Sequence, residues 1–511
     1  MAVDMESSAQ DKDGESQPGA AQGGEAEVAV TPAPAEKISG GRAARGARWT
    51  LFAFGAVQVI RFVSSIVLTW LVMPEAYGVI AVVMSVMMGI NLFSDLGIGA
   101  NIVQSASGAD PRYRDTAWTI QILRGLILTL VAYAIAPVVG AYYSDYPGLS
   151  HFIQAISISS LILGLGSMSL HVLRRSISVA RLSALEVFAQ VMASATILIW
   201  AYYDPTPWAM VAGAIVRAST TTIASHILFG GDSFAWHRPS VHAIFSFGKW
   251  VFVSTALLFL AGQADRLIFG ALIPPALLGV YGVGVLVARI VPDLIAKLVG
   301  TVAYPVYCRA VQRDESLEAV YVRCSRPLLW LGGWSSAGLC GGGAAAISLL
   351  YKPEYAEAGW ILQWLAAGAW FGSVLRGSRT SALLAKGRAR LVSYTSLAKL
   401  IGMVVMIPLG FELAGFKGAV VGYALSDVLP YASSMWGCRS IGLRAFSLDL
   451  RYTLWFVATS LMCFGAVYFM DGEHYAPWAQ CLVVFVLDTL LWLPLLLPMR
   501  RDVQMLLMRK A

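Results

Sequence analysis

A chain of 511 residues that is 57% hydrophobic and 13% charged, with a mean hydropathy of +0.66, is not a soluble protein; soluble domains carry about 25% charged residues. Its net charge of +7 would suggest nucleic-acid binding in a soluble chain, but here the loop charges set topology and account for it. Apolar runs recur to the end of the chain, leaving no room for a second, soluble domain.

Residues 1–44 are rich in Ala, Gly, Glu, Gln, Ser and Pro. They cannot bury a core and are expected to form a disordered cytoplasmic tail. The tail has no short apolar region with a small-residue cleavage site, so it does not read as a secretory signal. It ends in a basic collar of Arg42, Arg45 and Arg48.

Beyond it the chain reads as fourteen apolar segments, each near the roughly 20 residues a bilayer core requires. They run approximately 49–73, 78–103, 116–140, 150–173, 184–203, 208–230, 245–273, 277–303, 327–350, 357–384, 391–411, 417–437, 451–470 and 477–498. The loops on the amino-terminal side hold nearly all loop Arg and Lys, among them Arg174, Arg175, Arg309, Arg313, Lys386, Arg388, Arg439 and Arg444. Those on the other side hold Lys352 and Lys417 beside several acids. By the positive-inside rule both termini are expected in the cytoplasm, which requires an even number of spans.

The chain also repeats itself. Adding 201 to Trp49, Leu71, Pro74, Gly78, Val79 and Val82 gives Trp250, Leu272, Pro275, Gly279, Val280 and Val283. Adding 209 to Tyr142, Tyr146, Gln154, Arg181 and Leu182 gives Tyr351, Tyr355, Gln363, Arg390 and Leu391. The growing offset puts extra residues in the second copy, within a cytoplasmic loop expected over 304–326. Because the repeat is six spans long, an even number, both copies start on the same side, which makes this a parallel repeat about an axis along the membrane normal. The expected fold is therefore an all-α polytopic membrane protein, with a six-helix lobe over 45–240, a second over 241–438, and two further helices with a cytoplasmic end over 439–511.

Nine cations fall inside predicted spans: Arg61, Arg124, Arg217, Arg266, Arg289, Lys297, Arg376, Arg379 and Lys399. A charge at the bilayer centre costs about 2.5–3.5 kcal/mol on insertion scales. Such groups must line a wet cavity, pair with acids, or snorkel to a span end. The embedded acids are fewer: Asp95, Asp265, Asp293, Asp427 and Asp488, with Glu186 near an edge. A cavity between the lobes should then be net positive and select an anion, phosphate best, because a guanidinium grips it through bidentate, charge-assisted hydrogen bonds.

Depth favours Arg61, Arg217 and Arg289 as cavity residues, Arg289 lying beside a kink expected at Pro292. Arg266 lies in the outer half of its span, on a different face from Asp265. For Arg124, Arg376, Arg379, Lys297 and Lys399, nearer the cytoplasm, substrate contact and a structural ion pair fit equally. Arg289, Asp293 and Lys297 at intervals of four form one charged stripe, open to being either a ligand surface or a self-neutralised ladder. Asp95, Asp265 and Asp293 are the candidates for proton or sodium coupling, and Asp95 fits a helix-end cap as well. No cofactor or metal site is expected, since the six cysteines show no CxxC or His-paired spacing. The run Gly338–Gly343 suits close helix packing.

The hairpins Leu71–Gly78 and Leu272–Tyr281, with Asp95-Leu-Gly-Ile-Gly99 and Asp265-Arg266-Leu-Ile-Phe-Gly270, resemble the polysaccharide transporter family. That family includes O-antigen and exopolysaccharide flippases and lies within the multidrug/oligosaccharidyl-lipid/polysaccharide exporter superfamily. The resemblance spans about residues 45–500. It implies two lobes around a cavity open to one side of the membrane at a time. It further implies a cationic lining for the diphosphate of an undecaprenyl-linked oligosaccharide, in the bacterial inner membrane, and a polymerase and glycosyltransferases as pathway partners. Fourteen spans rather than twelve bring in a lipid II-type flippase as an alternative, and a multidrug cation antiporter is a second. A membrane glycosyltransferase, polymerase or ligase is disfavoured, because such enzymes carry a long extracytoplasmic loop and this chain has none; the expected protein is not an enzyme.

Overall fold

The computed structural model describes residues 40–93, 110–170 and 179–496; Asp95 and the glycines beside it lie outside the described residues. Among the described residues the architecture is helical throughout, in fourteen membrane-scale segments. These are α1 (Gly40–Leu71), α2 (Pro74–Phe93), α3 (Pro111–Tyr142), α4 (Leu149–Gly164), α5 (Val179–Tyr203), α6 (Trp208–Phe229) and α7 (Arg238–Leu272). They continue as α8 (Pro275–Gln312), α9 (Leu317–Leu350), α10 (Pro353–Ala385), α11 (389–413), α12 (416–440), α13 (Phe446–Gly472) and α14 (Pro477–Leu496). Nine described stretches are long and apolar enough by composition to cross a membrane, one of which, Ala389–Ser440, holds both α11 and α12. These two separate where Gly415 adopts a φ of 61° and the chain reverses, a conformation glycine tolerates at no steric cost.

The expected loop over 304–326 is largely helical instead. Residues Tyr304–Gln312 extend α8, and α9 begins at Leu317 with Ser316 capping it through Ala319 N. The linker between them is only residues 313–316. A polar, arginine-rich sequence ends the apolar run without ending the helix, because arginine is a good helix former. Pro292 breaks α8 at Arg289, since a proline has no N–H to give the carbonyl four residues back. Two π-helical turns, Val299–Ala303 in α8 and Trp370–Leu375 in α10, loosen the same lobe.

Helix pairings recur six helices apart. The pairs α2·α4, α3·α4, α4·α6 and α5·α6 are matched by α8·α10, α9·α10, α10·α12 and α11·α12, and α1 packs on α5 as α7 packs on the stretch Ala389–Ser426. The last two helices pack on α9 through the glycine run: Gly341 lies against Cys463, Gly342 against Val484 and Gly333 under the Trp492 ring. Arg379 of α10 ties α13 down through a fully buried ion pair. Its Nε donates to Asp449 Oδ2 at 3.0 Å, its Nη2 closes on the same oxygen, and Tyr431 donates there too at 2.9 Å.

The two sets of helices meet at the end of the bundle opposite the start of α1, here called the distal face. A Cβ at Gly78 would fall on the Pro275 carbonyl, and a Cβ at Gly279 on that of Pro74. Tyr146 donates to Ile273 O and Tyr355 to Val72 O, both at 3.1 Å. Trp70 Nε1 donates to Leu350 O at 3.1 Å, and Tyr143 to Leu267 O at 3.2 Å.

Candidate functional site

A group of charged side chains gathers about half-way along α1, α6 and α8, on the open side of this distal contact. Arg61 stands ten residues before the end of α1, roughly 15 Å from the distal turn at 1.5 Å per residue. Arg61 and Arg217 are exposed, and Arg217 feels the charges of Arg61 and of Glu186 on α5. Half-buried Asp293 on α8 feels both Arg289 on its own helix and Arg61 across the gap. Lys297, one turn beyond Asp293, stands over the Phe54 ring of α1 at 5.6 Å. These side chains therefore bring α1, α5 and α6 of one set close to α8 of the other.

Arg289 is half-buried at the α8 break and donates to Gly262 O at 3.2 Å. Behind it Asp265 is 1% exposed and accepts from Tyr281 at 2.8 Å. Its neighbour Arg266 turns to Gln263 Oε1 at 3.4 Å, and Gln263 donates to Met88 Sδ. Asp265 thus sits inside the α7–α8 contact, with Arg289 and Tyr423 close enough to feel it.

The other embedded cations separate from this group. Arg379 is committed to Asp449. Lys399 closes on Asp427 Oδ1 and Ser426 Oγ, both at 2.9 Å, with its ammonium 4.1 Å from the Tyr423 ring centre. Asp427 is seated against Gly372, where any side chain would meet its carboxylate. Arg376, half-buried, gives Nε to Gly372 O at 2.6 Å, a carbonyl of the π turn. Arg124 lines a separate cavity of about 260 Å³ among α2, α3, α4 and α6, and donates to Asn91 O at 2.8 Å. Among the described residues no carboxylate lies within 4.0 Å of Arg61, Arg217, Arg266, Arg289, Lys297 or Arg376.

Reading the sequence missed three parts of this arrangement. Glu186, Gln190 and Ser194 fall at intervals of four on α5, and Gln190 Nε2 reaches Ser194 Oγ, which reaches Ser64 Oγ of α1. That polar stripe at helical spacing was present in the sequence. Asp449 falls just before the span expected from 451, although α13 starts at Phe446 and buries it. The aromatic partners Phe54 and Tyr423 carried no sequence signal.

A polysaccharide biosynthesis protein family model matches residues 67–358. The chain is 23% identical over 406 residues to the teichuronic acid biosynthesis protein TuaB of Bacillus subtilis, covering 76% of this chain and 80% of that one. It is 18% identical over 391 residues to the lipopolysaccharide biosynthesis protein WzxC of Escherichia coli, covering 75% and 78%. Two solved structures share the fold. The lipid II flippase MurJ, in an inward closed conformation, matches with a TM-score of 0.71 at 12% identity, over 89% of this chain and 99% of that one. An inward-facing multidrug resistance MATE family transporter of the MOP superfamily matches with a TM-score of 0.60 at 13% identity, over 76% and 94%.

Proposed function

The chain belongs to the polysaccharide biosynthesis protein family of membrane transporters, and from that premise we propose that it flips a lipid-diphosphate-linked oligosaccharide across the bacterial inner membrane. Arg61, Arg217 and Arg289 are the residues proposed to hold the diphosphate. The supporting observation is that these guanidiniums, from helices of both sets, have no carboxylate in contact among the described residues. Phosphate oxygens are what such donors lack. Lys297 lies on α8 one turn beyond Asp293. Arg266, Arg376 and Arg124 are proposed to act on the lining indirectly: Arg266 turns to Gln263 of its own helix, Arg376 to the π turn of α10, and Arg124 lines a separate cavity.

The lobes are taken as 45–240 and 241–438, with 439–511 as an appendage of the second. With both termini cytoplasmic, as the basic loops indicate, the distal face is the outer one. The state described is then closed outward, with its cations reachable from the cytoplasm where lipid-linked sugars are made. Opening the distal contact would turn the same cations outward. Asp293 and Asp265 remain proposals for proton or sodium coupling; both lie close enough to Arg289 for a change in their charge to alter its hold on phosphate. An organic-cation antiporter is less well supported, because each acid of this group, Asp293 and Glu186, has a guanidinium near it.

The test is surface polymer in cells carrying Arg61→Ala, Arg217→Ala or Arg289→Ala at normal protein levels. Loss of polymer is expected in each, whereas undiminished polymer in all three would remove these residues from the site.

A further inference from the structure

The segment 230–237, which joins α6 to α7 and so the two sets of helices, is not a slack connection. It runs extended along the first two turns of α3. Ser233 N donates to Asp115 Oδ1 at 3.3 Å, Ala235 N to Thr119 Oγ1 at 3.1 Å, and His237 N to Thr116 Oγ1 at 3.2 Å. The Asp232 side chain, 0% exposed, joins Arg114 Nε at 2.7 Å and accepts from Met168 N at 2.8 Å. Alternate N–H groups are therefore spent on α3, and in an extended chain alternate side chains share a side.

The side chains between those bonds are Phe234 and Trp236, which are 74% and 57% exposed. Two large aromatics held outward on a clamped strand cannot fold back to hide. Phe234 rests partly on Trp118, 4.9 Å between ring centres, and Trp236 is left outward. Their level on the helix identifies what meets them. The apolar outer stripe of α3 begins at Leu123, exposed like Leu126, Ile127 and Leu130, only four residues and roughly 6 Å beyond Thr119. Arg112, one turn before Thr116 on α3, and Arg238, next to His237, are both exposed.

We propose that this linker is a membrane-surface anchor, with Phe234 and Trp236 seated at the headgroup level of the leaflet that meets the start of α3, and Arg112 and Arg238 on anionic headgroups. The indole of Trp236, with an apolar body and a polar N–H edge, partitions to that level, the phenyl of Phe234 adds apolar area beside it, and cations beside it are drawn to acidic lipid. By the loop charges this is the cytoplasmic leaflet. The anchor fixes the inter-lobe link to the first lobe and to the bilayer, so lobe movement must take place beyond His237. This goes beyond the transport reading and stands or falls separately from it.

Nitroxide labels at Phe234→Cys and Trp236→Cys, in protein whose half-buried Cys308 and Cys481 are replaced by Ser, test it in nanodiscs. The other four cysteines are buried, and Arg313→Cys, in the loop after α8, serves as the aqueous control. Oxygen should relax the 234 and 236 labels more than a water-soluble nickel chelate does, and the order should reverse at 313. The 236 label should also move deeper as phosphatidylglycerol replaces phosphatidylcholine, and that dependence should vanish in R112Q/R238Q. Nickel access at 236 equal to that at 313 would overturn the anchor and leave the aromatics facing water or another protein. Depth independent of phosphatidylglycerol would overturn the role of the two arginines. Trp236 enters none of the described ring contacts, so its label reports even if Phe234→Cys disturbs the strand.

Discussion

Tyr146 and Tyr355 occupy corresponding places 209 residues apart, and each donates its phenol at 3.1 Å to the hairpin turn of the other repeat, at Ile273 O and Val72 O. Those two acceptors correspond as well, 201 residues apart. Such a contact, in which i meets j and j meets i, is the isologous form of a two-fold dimer interface, built here within one chain. It ties the distal face at two equivalent points. An opening that keeps the two-fold relation must break both.

Each of these bonds should contribute about 1 kcal/mol. Tyr146→Phe and Tyr355→Phe are therefore expected to favour distal opening about fivefold each, by similar amounts. The rate at which a cysteine at Ser64 reacts with an impermeant maleimide from outside checks this. A large effect from one tyrosine and none from the other would refute the equivalence.

Gly78 and Gly279 make the tighter part of the same contact, since a Cβ on either meets a proline carbonyl of the opposite hairpin. Forcing a methyl into a packed contact costs about 1–3 kcal/mol. Gly78→Ala and Gly279→Ala should each open the distal face more than the tyrosine changes do. Gly282→Ala, where nothing lies within 4 Å, should leave the maleimide rate unchanged.

The ion pair of Arg379 and Asp449 should matter to stability rather than to cargo. Removing one partner of a buried pair costs about 3–5 kcal/mol because the other charge is left uncompensated. Arg379→Met is expected to lower the melting temperature in detergent sharply, and Arg379→Met with Asp449→Leu to recover much of it. Unchanged cargo affinity in the double variant would separate this pair from the chamber.

In the proposed site Asp293 would compete with phosphate for Arg289 and Arg61, both of which lie near it. Asp293→Asn should tighten binding of a diphosphate lipid severalfold, the opposite of Arg289→Ala, when both are titrated by tryptophan fluorescence. Weaker binding in Asp293→Asn would mean that the carboxylate orients the arginines instead.

Much of the architecture was legible from residues because membrane folding imposes it. Apolar length gave the helices, and the matched Pro, Gly and Tyr positions marked what became the distal contact. Embedded charge was legible as a count but not as a pattern of partners. Depth set Arg61 apart from Arg379 and Lys399 but left open whether those two meet cargo or carboxylates; both close on carboxylates, while Arg61 is exposed. Which side an arginine takes depends on helix rotation and on neighbours distant in the chain, such as Asp449, 70 residues away. The loop expected over 304–326 failed for a related reason: loss of hydropathy marks where a helix leaves lipid, not where it ends.

Affinity of the purified protein for undecaprenyl diphosphate, in the parent and in Arg61→Ala, Arg217→Ala and Arg289→Ala, tests the anion-holding chamber most directly. A hydrogen bond to a charged group contributes about 1.5–3 kcal/mol, so each variant should raise Kd by about 10-fold or more, and inorganic pyrophosphate should compete in the parent. A Kd that stays at the parent value in all three, with no competition by pyrophosphate, would contradict the account.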